Sequence, residues 1–186
     1  MPDRGKFNKS LTKHCVDDRL IDDVITVPYV KSDNSCQDNV NFYCAAMKKC
    51  DELLERDVVI DVMSEICCCK TGQILVKTKD FAKQHAQEPF EEKIKKLEHI
   101  SQPWIIDDTH IGAYITGAHE AQCSCWCFKG CNPENDIMPI SYCYCCAGFM
   151  KFHYERALGV KLKIEEMPSS FLSTGKRCSV IFEIVS

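Results

Sequence analysis

Residues 143–167 read CYCCAGFMKFHYERALGVKLKIEEM, and this stretch predicts a helix followed directly by a strand. Its first part places aromatic and aliphatic residues at helical spacings. Gly159 is suited to end the helix, because glycine readily adopts the left-handed conformation of a C-cap. After it, apolar residues alternate with charged ones, as in a strand with one buried face. The pattern therefore predicts a helix over 143–158 and a strand over 160–167.

The chain upstream of this stretch divides into two regions of different composition. Residues 1–38 are rich in Asp, Lys, Asn and Ser, and they predict an N-terminal arm with one short helix or strand. Residues 39–108 carry apolar stripes at spacings of three and four, which favour a series of helices. We expect these helices over 39–56, over 58–68 with Asp57 as N-cap, over 73–87 and over 88–100.

Beyond Pro103–Asp108 the composition becomes typical of strands. Strands are predicted over 111–116, 122–128 and 178–185, with a turn over 169–176. Helices packed on an antiparallel sheet define an α+β fold, and a helical N-terminal half fits that class. We expect residues 109–186 to form the α+β region and to make one compact unit with 39–108.

Charge and hydropathy exclude several classes of function. The chain has 186 residues and a formal net charge of −4, so its surface is not suited to non-specific nucleic-acid binding. No run of 18 apolar residues occurs and the first residues are polar, so we expect neither membrane insertion nor secretion. A cytoplasmic location follows as a prediction, and a reducing cytoplasm disfavours disulfides.

The chain contains 15 cysteines, and seven of them cluster between residues 123 and 146. On a strand over 122–128, alternate side chains share one face, so three thiols would point the same way. Zinc binds four thiolate or imidazole ligands in a tetrahedron, and a second cysteine group at the start of helix 143–158 could complete such a set. We predict from this pattern a zinc site drawn from Cys123, Cys125, Cys127, Cys143 and Cys145.

Other interpretations of the cysteines stay open. The same thiols could line a ligand pocket without metal, or Cys143 and Cys146 could form a redox pair at a helix N-terminus. His119 is an alternative metal ligand, although a polar role is the simpler interpretation. The run Cys67–Cys69 lies at a predicted helix C-terminus, which is the unfavourable end for a thiolate. Small apolar packing roles are predicted for the remaining cysteines: Cys15, Cys36, Cys44 and Cys50.

The C-terminal third resembles the V4R (4-vinyl reductase-like, hydrocarbon-binding) domain family over roughly residues 111–185. The motifs that carry the resemblance are Tyr142–Gly148, Tyr154-Glu155, Leu158–Glu165, Ser169-Ser170 and Gly175 with Cys178. The resemblance implies a fold like that of the vesicle-tethering Bet3 proteins, with helices on an antiparallel sheet around an apolar pocket. It also implies zinc on Cys125 or Cys123 with Cys127, Cys143, Cys145 and Cys178. Where many family members have a cysteine, this chain has Ser169 or Ser170.

Three hypotheses for function follow. The first is a small-molecule binding or sensing protein with a cysteine-rich zinc site and a small apolar ligand, its pocket lined by Phe149 and Phe152. The second is an enzyme that uses the same cysteines, either a hydrolase similar to the aminothiazoline-carboxylate hydrolases or a thiol-dependent reductase. The third is an interaction module that forms a homodimer, by analogy with the Bet3 proteins.

Overall fold

The computed structural model describes residues 3–14, 17–66, 72–97, 103–115 and 136–185. Within these ranges the helices are α1 (Arg4–His14), α2 (Asp18–Ile25), α3 (Ser35–Leu53), α4 (Arg56–Glu65), α5 (Gln73–Gln84), α6 (Phe90–Lys96), α7 (Tyr144–Leu158) and α8 (Phe171–Thr174). A 3-10 helix (Ile140–Cys143) leads directly into α7. The strands are β1 (Pro103–Ile105), β2 (His110–Tyr114), β3 (Lys161–Ser169) and β4 (Ser179–Val185).

The four strands form one antiparallel sheet in the order β1-β2-β4-β3. Its buried face follows from the alternation of side chains along each strand. Ile111 of β2 lies opposite Phe182 of β4, which lies opposite Ile164 of β3, and all three are buried. The prediction of an α+β fold with helices on an antiparallel sheet is confirmed.

Helix α7 packs against β3 of the sheet and against the helices α4 and α5. The ring of Tyr154 meets the ring of Phe182 edge-on, with 6.0 Å between the centroids. The helix ends where predicted, because Gly159 adopts φ +74° and its amide donates to the carbonyl of Glu155 at 3.0 Å. At Gly148 the absence of a Cβ lets the α7 backbone approach Ser64 of α4 closely, since a Cβ there would lie 2.5 Å from the Ser64 backbone.

The N-terminal region differs from the prediction of an arm with one short element. It forms two helices, and α1 buries Phe7 and Leu11 completely in the core. The Phe7 ring packs edge-on against Tyr43 at 5.4 Å, and Arg4 forms an ion pair with Asp38 at 2.7 Å. The composition is polar because only two of the three buried residues of α1, Phe7 and Leu11, are apolar, which is too few for a clear apolar stripe.

The predicted helices of the central region are confirmed with small shifts. The main correction concerns α4, which begins at Arg56 with Glu55 at the N-cap position, two residues ahead of the predicted cap Asp57. Leu54 and Glu55 are extended and carry the turn from α3, so the helix starts as soon as that turn ends. Asp57 lies in the first turn, where a carboxylate is still favoured by the helix dipole.

Two further differences lie in the C-terminal region. Pro103–Ile105 forms the edge strand β1, and the predicted turn over 169–176 contains the short helix α8. The strand predicted over 122–128 lies outside the described residues. Within the described ranges, no helix combines the length and hydrophobicity that a membrane span requires.

Candidate functional site

The candidate site lies where three chain segments meet at the start of α7. Cys143 ends the 3-10 helix and occupies the N-cap position of α7. Ser170 is the N-cap residue of α8, and Cys178 directly precedes β4. All three side chains are buried, Ser170 completely. We call Cys143, Ser170 and Cys178 the thiol cluster.

Two contacts define the geometry of the thiol cluster. The Sγ atom of Cys143 lies 2.8 Å from the Oγ atom of Ser170. The backbone amide of Phe171 donates a hydrogen bond to the Sγ atom of Cys178 at 3.2 Å. Because Ser170 and Phe171 are neighbours, both cysteines are directed to the same turn of the chain. The cluster therefore joins the beginning of α7 to the beginning of β4.

Two more cysteines occupy the first turn of α7. Cys145 is buried and Cys146 is half-buried, and their Sγ atoms are 4.0 Å apart. The N-terminus of a helix carries a partial positive charge and amides that lack helical partners, so this end favours a negatively charged ligand or thiolate. The location thus suits thiolate chemistry better than the C-terminus of a helix would.

The structure tests the predicted zinc ligands only in part. It brings Cys143 and Cys178 to the same turn and places Cys145 on the adjoining helix turn. The predicted ligands Cys123, Cys125 and Cys127 lie outside the described residues, as do His119 and Cys67–Cys69. Among the residues that are described, no group of three or more His, Cys, Asp or Glu side chains is arranged to hold a metal ion. The described thiols can supply part of a tetrahedral thiolate set, and zinc remains a prediction.

Two histidines of the C-terminal region make their contacts outside the thiol cluster. His153 of α7 is fully buried, with Nδ1 3.5 Å from the Oγ1 atom of Thr78 and ring contacts to Phe149 and Phe152. His110 begins β2, and its two ring nitrogens face Asp107 at 2.9 Å and Glu165 at 3.4 Å. Both carboxylates favour the imidazolium, and the pKa of His110 is raised, chiefly by the hydrogen bond to Asp107.

The cysteines predicted to pack in the core behave as such where the structure describes them. Cys44 and Cys50 are buried in α3, and burial raises the pKa of the Cys44 thiol. Cys36 is half-buried near the start of the same helix, and Cys15 is outside the described residues.

Two open clefts lie beside α3. A groove of about 410 Å³ runs between Val27–Val30 and α3, with Cys44, Lys48 and Asp136 in its lining. A smaller cleft of about 270 Å³ lies beside the start of α7, where Ser141 and Tyr144 face Asp51 and Arg56. Neither cleft is lined by Phe149 or Phe152, which were predicted to line the pocket. Phe149 packs instead against the core, and the Phe152 ring faces the guanidinium of Arg156 at 5.0 Å.

Sequence reasoning did not identify Ser170 or the pair Asp51–Ser141 as site residues. Ser141 donates to the Asp51 carboxylate at 2.8 Å, and burial raises the pKa of Asp51. The signals for Ser170 were its place ahead of the Gly175–Cys178 turn and the resemblance to V4R domains, many of which have a cysteine where this chain has Ser169 or Ser170. No spacing rule links Asp51 to Ser141, because they belong to different regions of the chain.

No protein-family model matches this chain, and neither a curated protein nor a solved structure matches it. The resemblance to the V4R family therefore stays a prediction, and the argument for function rests on the geometry of the site.

Proposed function

We propose that this chain is a small-molecule binding or sensing protein whose α+β fold is held together by a thiolate site for zinc. In this proposal the metal joins the start of α7 to the start of β4 and so fixes the helix on the sheet. The assignment to a V4R-like domain and a location in a reducing cytoplasm belong to the same proposal.

The observation that carries the metal half is the convergence of Cys143 and Cys178 on the Ser170–Phe171 turn. An amide that donates to a cysteine sulfur stabilises the thiolate form, which is the form that binds zinc. A bound cation would compensate the charge of two buried thiolates. Cys145 and the predicted ligands Cys123, Cys125 and Cys127 would supply the rest of the coordination.

The ligand-binding half is supported by the two clefts. Small-molecule sites usually have volumes of roughly 300–1,000 Å³, and the groove beside α3 lies within that range. Both clefts combine apolar lining with a few charged groups, which is the usual composition of a site that orients a small ligand.

The first experiment measures metal content by elemental mass spectrometry on protein purified without an affinity tag, together with a count of reactive thiols. We expect about one zinc per chain, with several thiols protected until a chelator is added. Cys143→Ser and Cys178→Ser should each lower both metal content and melting temperature. Cys44→Ser is the matched control, because Cys44 is equally buried but lies outside the thiol cluster.

Two results would contradict the metal proposal. One is a wild-type protein that contains no metal and whose thiols react nearly completely. The other is a metal content that stays unchanged in both Cys143→Ser and Cys178→Ser.

The alternative is an enzyme, a hydrolase or thiol-dependent reductase, that uses the same cysteines. The observation in its favour is the position of Cys143, Cys145 and Cys146 at the N-terminus of α7, where a thiolate is stabilised. The same assay separates the two proposals, since an enzyme of this kind would show metal-free protein with at least one rapidly alkylated cysteine in the first turn of α7.

A further inference from the structure

The smaller cleft, of about 270 Å³, has two opposite charges in its lining. Asp51 comes from the end of α3 and Arg56 from the start of α4, while Ser141 and Tyr144 come from the 3-10 helix and the start of α7. The rest of the lining is apolar and consists of Leu54, Val59 and Ile140.

Asp51 is held in position by one hydrogen bond. Ser141, which is itself buried, donates from Oγ to the Oδ2 atom of Asp51 at 2.8 Å. The other carboxylate oxygen of Asp51 accepts no hydrogen bond from the residues that the structure describes. Asp51 is exposed overall, and desolvation of its carboxyl group raises its pKa, so an approaching cation would favour the ionised form.

Arg56 is also fixed by its neighbours. Its guanidinium donates to the backbone carbonyl of Glu165 and is hydrogen-bonded to the side chain of Tyr144. A guanidinium has five N–H donors in a planar fork, so these two contacts leave donors for a further acceptor. Carboxylates suit that fork particularly well, because they can accept two parallel hydrogen bonds.

The two charges do not neutralise each other. Asp51 and Arg56 form no ion pair within 4.0 Å, and both line the same cleft. In the larger groove the situation is different, since Lys48 and Asp136 already pair with each other. A ligand in the smaller cleft would therefore meet a carboxylate and a guanidinium that form no ion pair with each other, although Asp57 and Glu166 also act on the charge of Arg56.

We propose that this cleft binds a small zwitterion of amino-acid size, with its ammonium group on Asp51, its carboxylate on Arg56 and its apolar part on Leu54, Val59 and Ile140. The inference rests on the ligand-binding half of the proposed function and does not require the metal. It replaces the purely apolar ligand predicted from the sequence with one that carries both charges. A ligand with a single charge would leave the opposite side chain of the cleft without compensation.

The test measures binding by isothermal titration calorimetry with three zwitterions, L-alanine, L-leucine and L-methionine. N-acetyl-L-leucine, which lacks the ammonium, and L-leucinamide, which lacks the carboxylate, are the matched probes. We expect saturable binding of at least one zwitterion, with affinity reduced roughly 10- to 100-fold when either charge is removed, as for a lost hydrogen bond between charged groups.

Variants assign each contact to its residue. Asp51→Asn removes the proposed partner of the ammonium, so this variant should bind L-leucine and N-acetyl-L-leucine with similar affinity. Arg56→Gln removes the proposed partner of the carboxylate, so this variant should bind L-leucine and L-leucinamide with similar affinity. Asp57→Asn is the control, because Asp57 is exposed next to Arg56 and does not line the cleft. Circular dichroism of each variant checks that it is folded.

Two outcomes would overturn the inference. One is the absence of saturable binding by all three zwitterions at millimolar concentration. The other is equal affinity of the wild type for L-leucine and both of its singly charged derivatives. Metal content measured on the same sample tests the zinc proposal separately. Zinc-free protein that binds L-leucine would contradict the zinc proposal and support the zwitterion site.

Discussion

The Sγ atom of Cys143 and the Oγ atom of Ser170 lie 2.8 Å apart, and both side chains are buried. This contact ties the N-cap residue of α7 to the start of α8, which leads towards β4. A buried hydroxyl that loses its partner is destabilising, so the contact is expected to contribute measurably to the stability of the fold.

The Cys143–Ser170 contact can be measured with a double-mutant cycle. Ser170→Ala should lower the free energy of unfolding by about 1 kcal/mol, the usual contribution of one intramolecular hydrogen bond. Combined with Cys143→Ala, the effects should be less than additive by at least about 0.5 kcal/mol, because both changes remove the same interaction. Urea unfolding followed by circular dichroism measures both quantities. Ser170→Ala combined with Cys44→Ala is the control and should be additive; additivity in the first pair would refute a direct interaction.

His110 should make the sheet sensitive to pH. Its pKa is raised above 6.5, chiefly by the hydrogen bond to Asp107 and also by the charges of Glu165 and Glu183. A raised pKa in the folded state means that the contribution to stability is complete at low pH and is lost as pH rises through the folded-state pKa. The melting temperature of His110→Gln should therefore fall furthest below that of the wild type near about pH 5 and match it near about pH 9.

Asp107→Asn is the companion to this test. The pKa of Asp107 is lowered to about 2, first by the amide of Thr109 and then by His110. Without the carboxylate, the contribution of His110 to the melting temperature should vary less with pH. The fold should be retained, since Asp107 lies in the exposed turn before β2. An equal difference between wild type and His110→Gln at every pH would show that the imidazolium is not involved.

Gly148→Ala should destabilise the protein although alanine is the better helix former. Propensity alone favours alanine over glycine in a helix by about 1 kcal/mol. A Cβ at residue 148 would lie 2.5 Å from the backbone of Ser64, so α7 and α4 would have to separate, at a net cost of about 1–3 kcal/mol. Gly5→Ala in α1 is the control, because the nearest atom there is at an ordinary 3.4 Å. A rise in melting temperature for Gly148→Ala would contradict the observed packing of α7 on α4.

Phe7→Ala tests whether α1 belongs to the core. Phe7 is fully buried and contacts the rings of Phe42 and Tyr43. Truncation of a buried phenylalanine usually costs about 3–5 kcal/mol, so chemical denaturation should show a loss of that size. Val30→Ala is the control and should be close to neutral, since Val30 is 56% exposed. A small effect of Phe7→Ala would instead fit the N-terminal arm with one short helix or strand that the polar composition predicts.

Several elements of the fold are encoded by residue spacing within a single segment of the chain. The helix over α7, its end at Gly159 and the alternation along β3 depend on periodicity and on one glycine, so the sequence was sufficient to predict them. The burial of Cys44 and Cys50 also followed from the apolar stripe of α3. The α+β class was then a consequence of helices and strands that each have one apolar face.

The sequence by itself determined the helices α3 to α7, the strands β2 to β4 and the fold class, because these follow from side-chain spacing within short segments. Only the tertiary structure decided that Cys143 faces Ser170, that Cys178 accepts the amide of Phe171 and that Ser141 holds Asp51. The pairs Cys143–Ser170 and Ser141–Asp51 each join different elements of the fold. The pair Cys178–Phe171 forms across the turn at α8, whose conformation depends on how β3 and β4 pair. Such contacts depend on the docking of helices onto the sheet, and no local pattern of residues encodes the distance between two side chains on separate elements.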